Sequence, residues 1–208
     1  MADIEEAFLS RDQKDKIAFK APPFIPRRVL KDLGTEKVTG DRYFSHKFMQ
    51  QEWEKVWKKT WHFVMKVSDL DQPGAFYTHE LGKESFLFVR GSDNQIRGFY
   101  NVCRHRGNRL CQVEEGVVNA FTCPYHGWKW NDDGSLKQVA DPQFFRQFDE
   151  GIPEEELGLV PVKIDVWEGW LWFNMDSDAC SLRDYLGPIG EHLETYHFED
   201  CTVLDYQT

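Results

Sequence analysis

The sequence predicts a mainly β protein: an antiparallel β-sandwich or small barrel, preceded by an N-terminal arm and a helix. Three observations carry that expectation. The runs "WHFVMKV", "AFYTHEL", "SFLFVRG", "IRGFYNV" and "VVNAFTC" are short and rich in aromatic and β-branched residues, as strands are. Turn-forming stretches, "DQPG", "LGKE", "GSDNQ" and "NDDGS", separate them at close spacing. A last pair, "VKIDVWEG" and "WLWFNMD", reads as a closing hairpin.

The flanks differ from this pattern. Residues 1–40 lack sustained periodicity and contain "APPFIPRR", which no continuous helix accommodates, so they are expected to form an arm. From Ser45 onward, Met49, Trp53, Val56, Trp57 and Thr60 recur at three- and four-residue steps, which predicts one amphipathic helix with its tryptophans packed in the core. "SLRDYLGPIGEHLETYHFED" turns helical again, so the β-domain is expected over 41–175 and the start of a further domain over 176–208.

Composition narrows the function classes. Of 208 residues 41% are hydrophobic and 15% aromatic, enough for a packed core. A net charge of −10 argues against nucleic acid or an anionic membrane as the main partner. No apolar run approaches the ~20 residues that span a bilayer, and the polar, acidic start is unlike a signal peptide, so a cytoplasmic location is expected. Five cysteines do not form a disulfide framework; Cys111, Cys180 and Cys201 are expected to be partly buried free thiols.

Two cysteines belong to a pattern. Cys103-x-His105 and Cys123-x2-His126 are separated by 17 residues. Two thiolates and two imidazoles on paired short loops can bind tetrahedral zinc or an iron–sulfur cluster. A [2Fe–2S] cluster makes fuller use of the order: Cys103 with Cys123 on one iron, His105 with His126 on the other. Two ferric ions, two sulfides, two thiolates and two neutral imidazoles sum to zero charge, which eases reduction relative to four thiolates. Gly107 and Gly127 permit tight loops whose N–H groups could reach the sulfides, Pro124 stiffens the second loop, and Tyr125, Trp128 and Trp130 are placed to shield one side.

"CRHRGNRLC" with "FTCPYHGWKWNDDGSL" closely resembles the Rieske segment of the large (α) subunits of Rieske non-haem iron oxygenases, the aromatic-ring-hydroxylating and N-demethylating family. The likeness extends through "GFYNVCRHRG", "QPGAFYTHELGKESFLFVRG" and "EGWLWFNMD", from about residue 40 onward. It implies a Rieske-type β-sandwich with two cluster-binding loops followed by an α+β catalytic domain, and it implies Cys103, His105, Cys123 and His126 as the [2Fe–2S] ligands. Respiratory Rieske proteins carry a further cysteine in each loop; Asn108 and Tyr125 stand there in this chain, so the bridging disulfide is not expected.

The same resemblance implies a mononuclear Fe(II) in the catalytic domain, on two histidines and a carboxylate. His192-x4-His197 is the one pair in the chain to test. Ile189 stands where the aspartate should be, the pair follows the loops too soon, and five helical positions part the side chains by about 140°. No catalytic residue is therefore expected in this chain, and His46, His62 and His79 are expected to be ordinary. The resemblance further implies a ferredoxin or flavin reductase as electron donor and a homotrimer (α3) or α3β3 assembly for the complete protein. Arg104, Arg106 and Arg109 could steer such a donor or pair with Glu114 and Glu115. A stand-alone Rieske electron carrier is the alternative function; the arm, the helix and the tail after residue 175 exceed what a minimal carrier needs.

Overall fold

The computed structural model describes residues 32, 34–145 and 152–202. Most of the predicted arm thus lies outside the described residues. The chain divides into a compact unit over Glu36–Tyr185 and a second unit drawn from the chain ends, Met1–Thr35 with Leu186–Thr208.

The first unit opens with a helical turn, Asp41–Phe44, and helix α1, His46–Lys55. Ser45 caps α1 by accepting the Phe48 N–H at 3.3 Å, which satisfies one of the donors left free at a helix start. The helix is shorter than the periodicity predicts, because the chain tightens into a 3-10 turn at Trp57–Lys59. Only Trp53 of the apolar stripe is buried; Met49, Val56 and Trp57 stay exposed, and Trp57 stacks on His62 at 5.9 Å.

Among the described residues ten strands follow: β1 (His62–Lys66), β2 (Ala75–Leu81), β3 (Glu84–Arg90), β4 (Ile96–Tyr100), β5 (Glu115–Val117), β6 (Phe121–Thr122), β7 (Lys129–Trp130), β8 (Leu136–Gln138), β9 (Pro161–Trp167) and β10 (Trp170–Asn174). They form a seven-stranded sheet in the order β1-β10-β9-β4-β3-β2-β5 and a three-stranded sheet in the order β6-β7-β8, with every pairing antiparallel. The predicted closing hairpin is β9–β10, Trp167 facing Trp170. The run "VVNAFTC" does not make one strand: Val117 pairs with Ala75 in the large sheet, whereas Phe121 pairs with Trp130 in the small one.

Strand β3 explains how one sheet supports two cores. Phe86, Leu87, Phe88 and Val89 are all fully buried, so both faces of the strand are covered, and its continuous apolar run is the signature of that situation. Because side chains alternate along a strand, Phe86 and Phe88 enter one cluster with Val64, Leu171 and Phe173. Leu87 and Val89 enter the other, with Phe99, Phe121, Trp128, Trp130 and the two cysteines Cys103 and Cys123.

The tail helix α2, Leu182–Leu193, is broken at Gly187, whose φ of 50° and ψ of −134° precede Pro188. It ends before His197, which adopts a left-handed φ of 50° and pairs with Glu199 at 3.5 Å. The helical angle between His192 and His197 therefore does not apply. Among the described residues His192 joins no group of three possible metal ligands.

Phe173 sits at a crossing of rings: His62 at 5.2 Å, His79 at 5.7 Å, Phe86 at 4.5 Å and Phe88 at 5.5 Å. Phe173→Ala is predicted to lower the unfolding free energy by about 3–5 kcal/mol in urea titration, with the denaturant slope unchanged. Burial, helped by the neighbouring His62, holds the His79 pKa below its usual value. The folded state thus binds that proton less readily than the unfolded chain, so stability falls as the pH drops below the unfolded value of about 6.5. Melting temperatures at pH 7.5 and 5.5 should show a smaller acid-induced loss in His79→Gln than in the wild type.

Candidate metal centre

The two Cys/His segments fold into matched loops. In each, the cysteine N–H donates to the carbonyl five residues on: Cys103 to Asn108 at 2.7 Å, and Cys123 to Trp128 at 2.8 Å. In each, the glycine four residues on donates back to the cysteine carbonyl: Gly107 at 2.9 Å and Gly127 at 3.0 Å. Both glycines have left-handed φ, +72° and +73°, the conformation that closes such a turn and that side chains disfavour. Their own N–H groups are engaged within the turn. The histidines break the symmetry, standing two residues after the cysteine in the first loop and three in the second.

The loops bring all four predicted residues into one locality. Cys103 and Cys123 are each 2% exposed and share one apolar cluster. Burial raises the Cys103 thiol pKa; the backbone N–H groups of His105 and Arg106 oppose that shift, and the neighbouring Cys123 thiol adds to it. The rings of His105 and His126 lie 4.9 Å apart, edge to face. Burial, His126 and Arg106 together lower the His105 pKa, which favours its neutral imidazole. Nδ1 of His105 is buried and has no hydrogen-bond partner.

Aromatic groups wall the histidines. Trp128, 3% exposed, stacks on His105 with ring centres 4.6 Å apart and planes 2° from parallel. Trp130 lies behind it and donates its indole N–H to Leu157 O at 2.9 Å. Tyr125 leans on His126 at 3.7 Å and is 58% exposed, so it forms the rim rather than the wall. Outside the two imidazoles is a depression of about 230 Å³, also lined by Trp128, Ala140, Asp141, Phe144 and Phe145.

The base of the first loop is held by a residue the motif does not contain. Asn101, 3% exposed, accepts the Cys111 N–H at 2.8 Å and donates to Cys111 O at 2.9 Å and to Ser85 Oγ at 3.1 Å. An asparagine inside the apolar run "GFYNVC" was the available signal for it. Burial pushes the Cys111 thiol up to about 12, so it is inert near neutral pH. Cys180 and Cys201 are exposed, not partly buried as expected.

The nearby arginines differ in their freedom. Arg109 pairs with Glu80 at 2.8 Å, not with Glu114 or Glu115, and Arg104 donates to Glu156 O at 3.3 Å. Arg106 is exposed, and among the described residues no hydrogen bond or ion pair holds its guanidinium.

Residues 60–149 match the family model described as the Rieske [2Fe-2S] domain. The chain is 35% identical over 162 residues to a carnitine monooxygenase oxygenase subunit of Acinetobacter baumannii, covering 78% of this chain and 42% of that protein. It is 32% identical over 173 residues to a biphenyl 2,3-dioxygenase subunit alpha of Rhodococcus jostii, covering 83% and 36%. Among solved structures it superposes on a quaternary ammonium Rieske monooxygenase in complex with gamma-butyrobetaine, with a TM-score of 0.68 at 33% identity over 74% of this chain and 43% of that one. It also superposes on naphthalene 1,2-dioxygenase, with a TM-score of 0.67 at 32% identity over 72% and 33%. The chain thus spans roughly two fifths of the curated relatives it matches.

A Cβ added at Gly107 would meet nothing within 4 Å, and one at Gly127 would meet only the Ala140 Cβ at 3.9 Å. The positive φ alone should therefore set the effect of substitution. Gly107→Ala and Gly127→Ala are each predicted to destabilise by about 1–2 kcal/mol in urea titration; a much larger loss would mean that the loops tolerate no added atom.

Proposed function

The chain carries a Rieske [2Fe–2S] domain homologous to that of the oxygenase large subunits, and from this premise we propose that Cys103 and Cys123 hold one iron of the cluster and His105 and His126 the other. The observation that carries the assignment is the pairing of two buried adjacent thiols with a buried imidazole nitrogen that has no partner within the protein. Buried polar atoms are almost always satisfied, so His105 Nδ1 is the atom for a metal. A single zinc ion would need its donors about 3.3–3.8 Å from one another. Among the described residues no three of these side chains bring ligand atoms within 4.8 Å of one another, which favours a two-iron centre.

When bound, such a cluster supplies one-electron storage at roughly −150 to +300 mV. The chain's residues set the conditions for that chemistry. The cysteine side is sealed in the core beneath Trp128 and Trp130, and the backbone N–H groups of His105 and Arg106 favour negative charge on the Cys103 sulfur. The histidine side opens on the surface depression, where an electron can enter or leave.

In the complete protein this domain passes electrons from a ferredoxin or flavin reductase to a mononuclear non-haem iron in a catalytic domain, which uses O₂ to hydroxylate or demethylate an organic substrate. Residues 41–175 are the electron-transfer domain, and the chain beyond 175 leads toward the catalytic domain. The assembly is a trimer, α3 or α3β3, acting in the cytoplasm. Among the described residues no helix is long and apolar enough to cross a membrane.

Dithionite titration of the purified chain, followed by visible absorption, should consume one electron per chain. Cys103→Ser and His105→Ala should lose the visible bands while keeping the far-ultraviolet spectrum of a folded β-domain. A wild-type chain that takes up no electron contradicts the proposal. Among the described residues Arg106 is a cation beside the site that no ion pair holds, so Arg106→Gln should slow reduction by an acidic donor several-fold at low salt and flatten the salt dependence. Arg109→Gln, removing a cation already paired with Glu80, should do less.

A further inference from the structure

We propose that Trp128 is a positioning residue that fixes the plane of the His105 imidazole, so that a ring of the second loop orients a ligand of the first. The inference rests on the assignment of His105 to the cluster and goes beyond it.

Metal-bound histidines are usually oriented by a hydrogen bond from the ring nitrogen opposite the metal to a carbonyl or carboxylate. With Nδ1 assigned to the metal, the nitrogen opposite is Nε2, and among the described residues no hydrogen bond reaches the His105 ring. Its orientation comes instead from packing. The Trp128 indole lies face to face with it at 4.6 Å and 2°. Phe145 meets both rings edge-on, His105 at 5.8 Å and Trp128 at 5.5 Å, and closes a three-ring wedge.

Trp128 is itself well fixed. Its side chain is buried against Trp130 at 6.2 Å, and its carbonyl accepts the Cys123 N–H that closes the second loop. Any tilt of the His105 ring about its bond to a metal would have to displace an indole tied to the other loop. Among the described residues no ring of the other loop stacks on His126, whose cross-loop contact is the edge-on His105 at 4.9 Å; its neighbour Tyr125 belongs to its own loop, sits 38° from parallel and is largely exposed. Trp128 therefore constrains one histidine and not the other, and this asymmetry separates positioning from general packing.

The test compares Trp128→Phe, which keeps a flat ring in the stack, with Trp128→Leu and Trp128→Met, which fill space without one. Iron and sulfide are measured first, and then the histidine ¹⁴N couplings of the reduced cluster by pulsed EPR. The wild type and Trp128→Phe should show two well-defined couplings. The Leu and Met variants should retain one and broaden or shift the other. Full cluster loading in the Phe variant with loss of loading in both Leu and Met variants supports the same role, since only the flat ring distinguishes them.

Unchanged couplings in loaded Leu and Met variants would overturn the proposal. So would equal changes in both histidines, or loss of loading in all three variants, each of which would show that Trp128 acts through volume alone. A wild-type chain without iron and sulfide would instead remove the cluster assignment underneath.

Discussion

Burying the Cys103 thiol beside a second thiol in an apolar core is unfavourable to its ionisation, and a metal that replaces the proton would reverse that balance. Cys103 and Cys123 occupy this position, in the same cluster as Trp130, Phe121 and Leu87. The rest of the site follows from keeping them there. Each loop must leave the core, turn within six residues and return, and the glycine at the fifth place provides the left-handed turn that lets the cysteine amide and carbonyl both be satisfied internally. The histidines, one residue out of register between the loops, then stand outside the cysteines at the surface.

The sheet serves this arrangement by separating two tasks. One face of β3 supports the ring cluster around Phe173, which stabilises the domain with no chemistry of its own. The other face forms the floor under the cysteine loops. Asn101 joins the two regions, leaving β4 and holding both backbone groups of Cys111 and the Ser85 hydroxyl, so the first loop is anchored at its base before any metal is present. A pre-formed loop pair lowers the entropy lost on metal binding compared with a chain that must fold around the ion.

Much of this was legible in the sequence because the signals were local. The Cys/His spacing, the two glycines and the aromatic runs each express a short-range requirement, and the mainly antiparallel β fold followed from runs of the right length between turns. What was not legible depends on partners distant in sequence. "VVNAFTC" reads as one strand because nothing local shows that Ala75 takes its first part and Trp130 its last. The stripe on α1 reads as core-facing, yet Trp53 alone is covered, because the 3-10 turn at Trp57–Lys59 redirects the chain. Arg109 has acidic residues close by in sequence but pairs with Glu80 on strand β2, and only the fold shows that among the described residues no ion pair holds Arg106. Asn101 gave a local hint, a lone amide in an apolar run, but its partner Cys111 lies across a ten-residue loop.

The central claim is that this fold holds a histidine-ligated two-iron centre, and chemical analysis with EPR of the purified chain tests it most directly. Two irons and two acid-labile sulfides per chain, with an EPR signal that appears on reduction at a potential of roughly −150 to +300 mV, is the predicted result for two imidazole ligands. Zinc in place of iron, or a reduced cluster with the signature of four thiolates, would contradict the account.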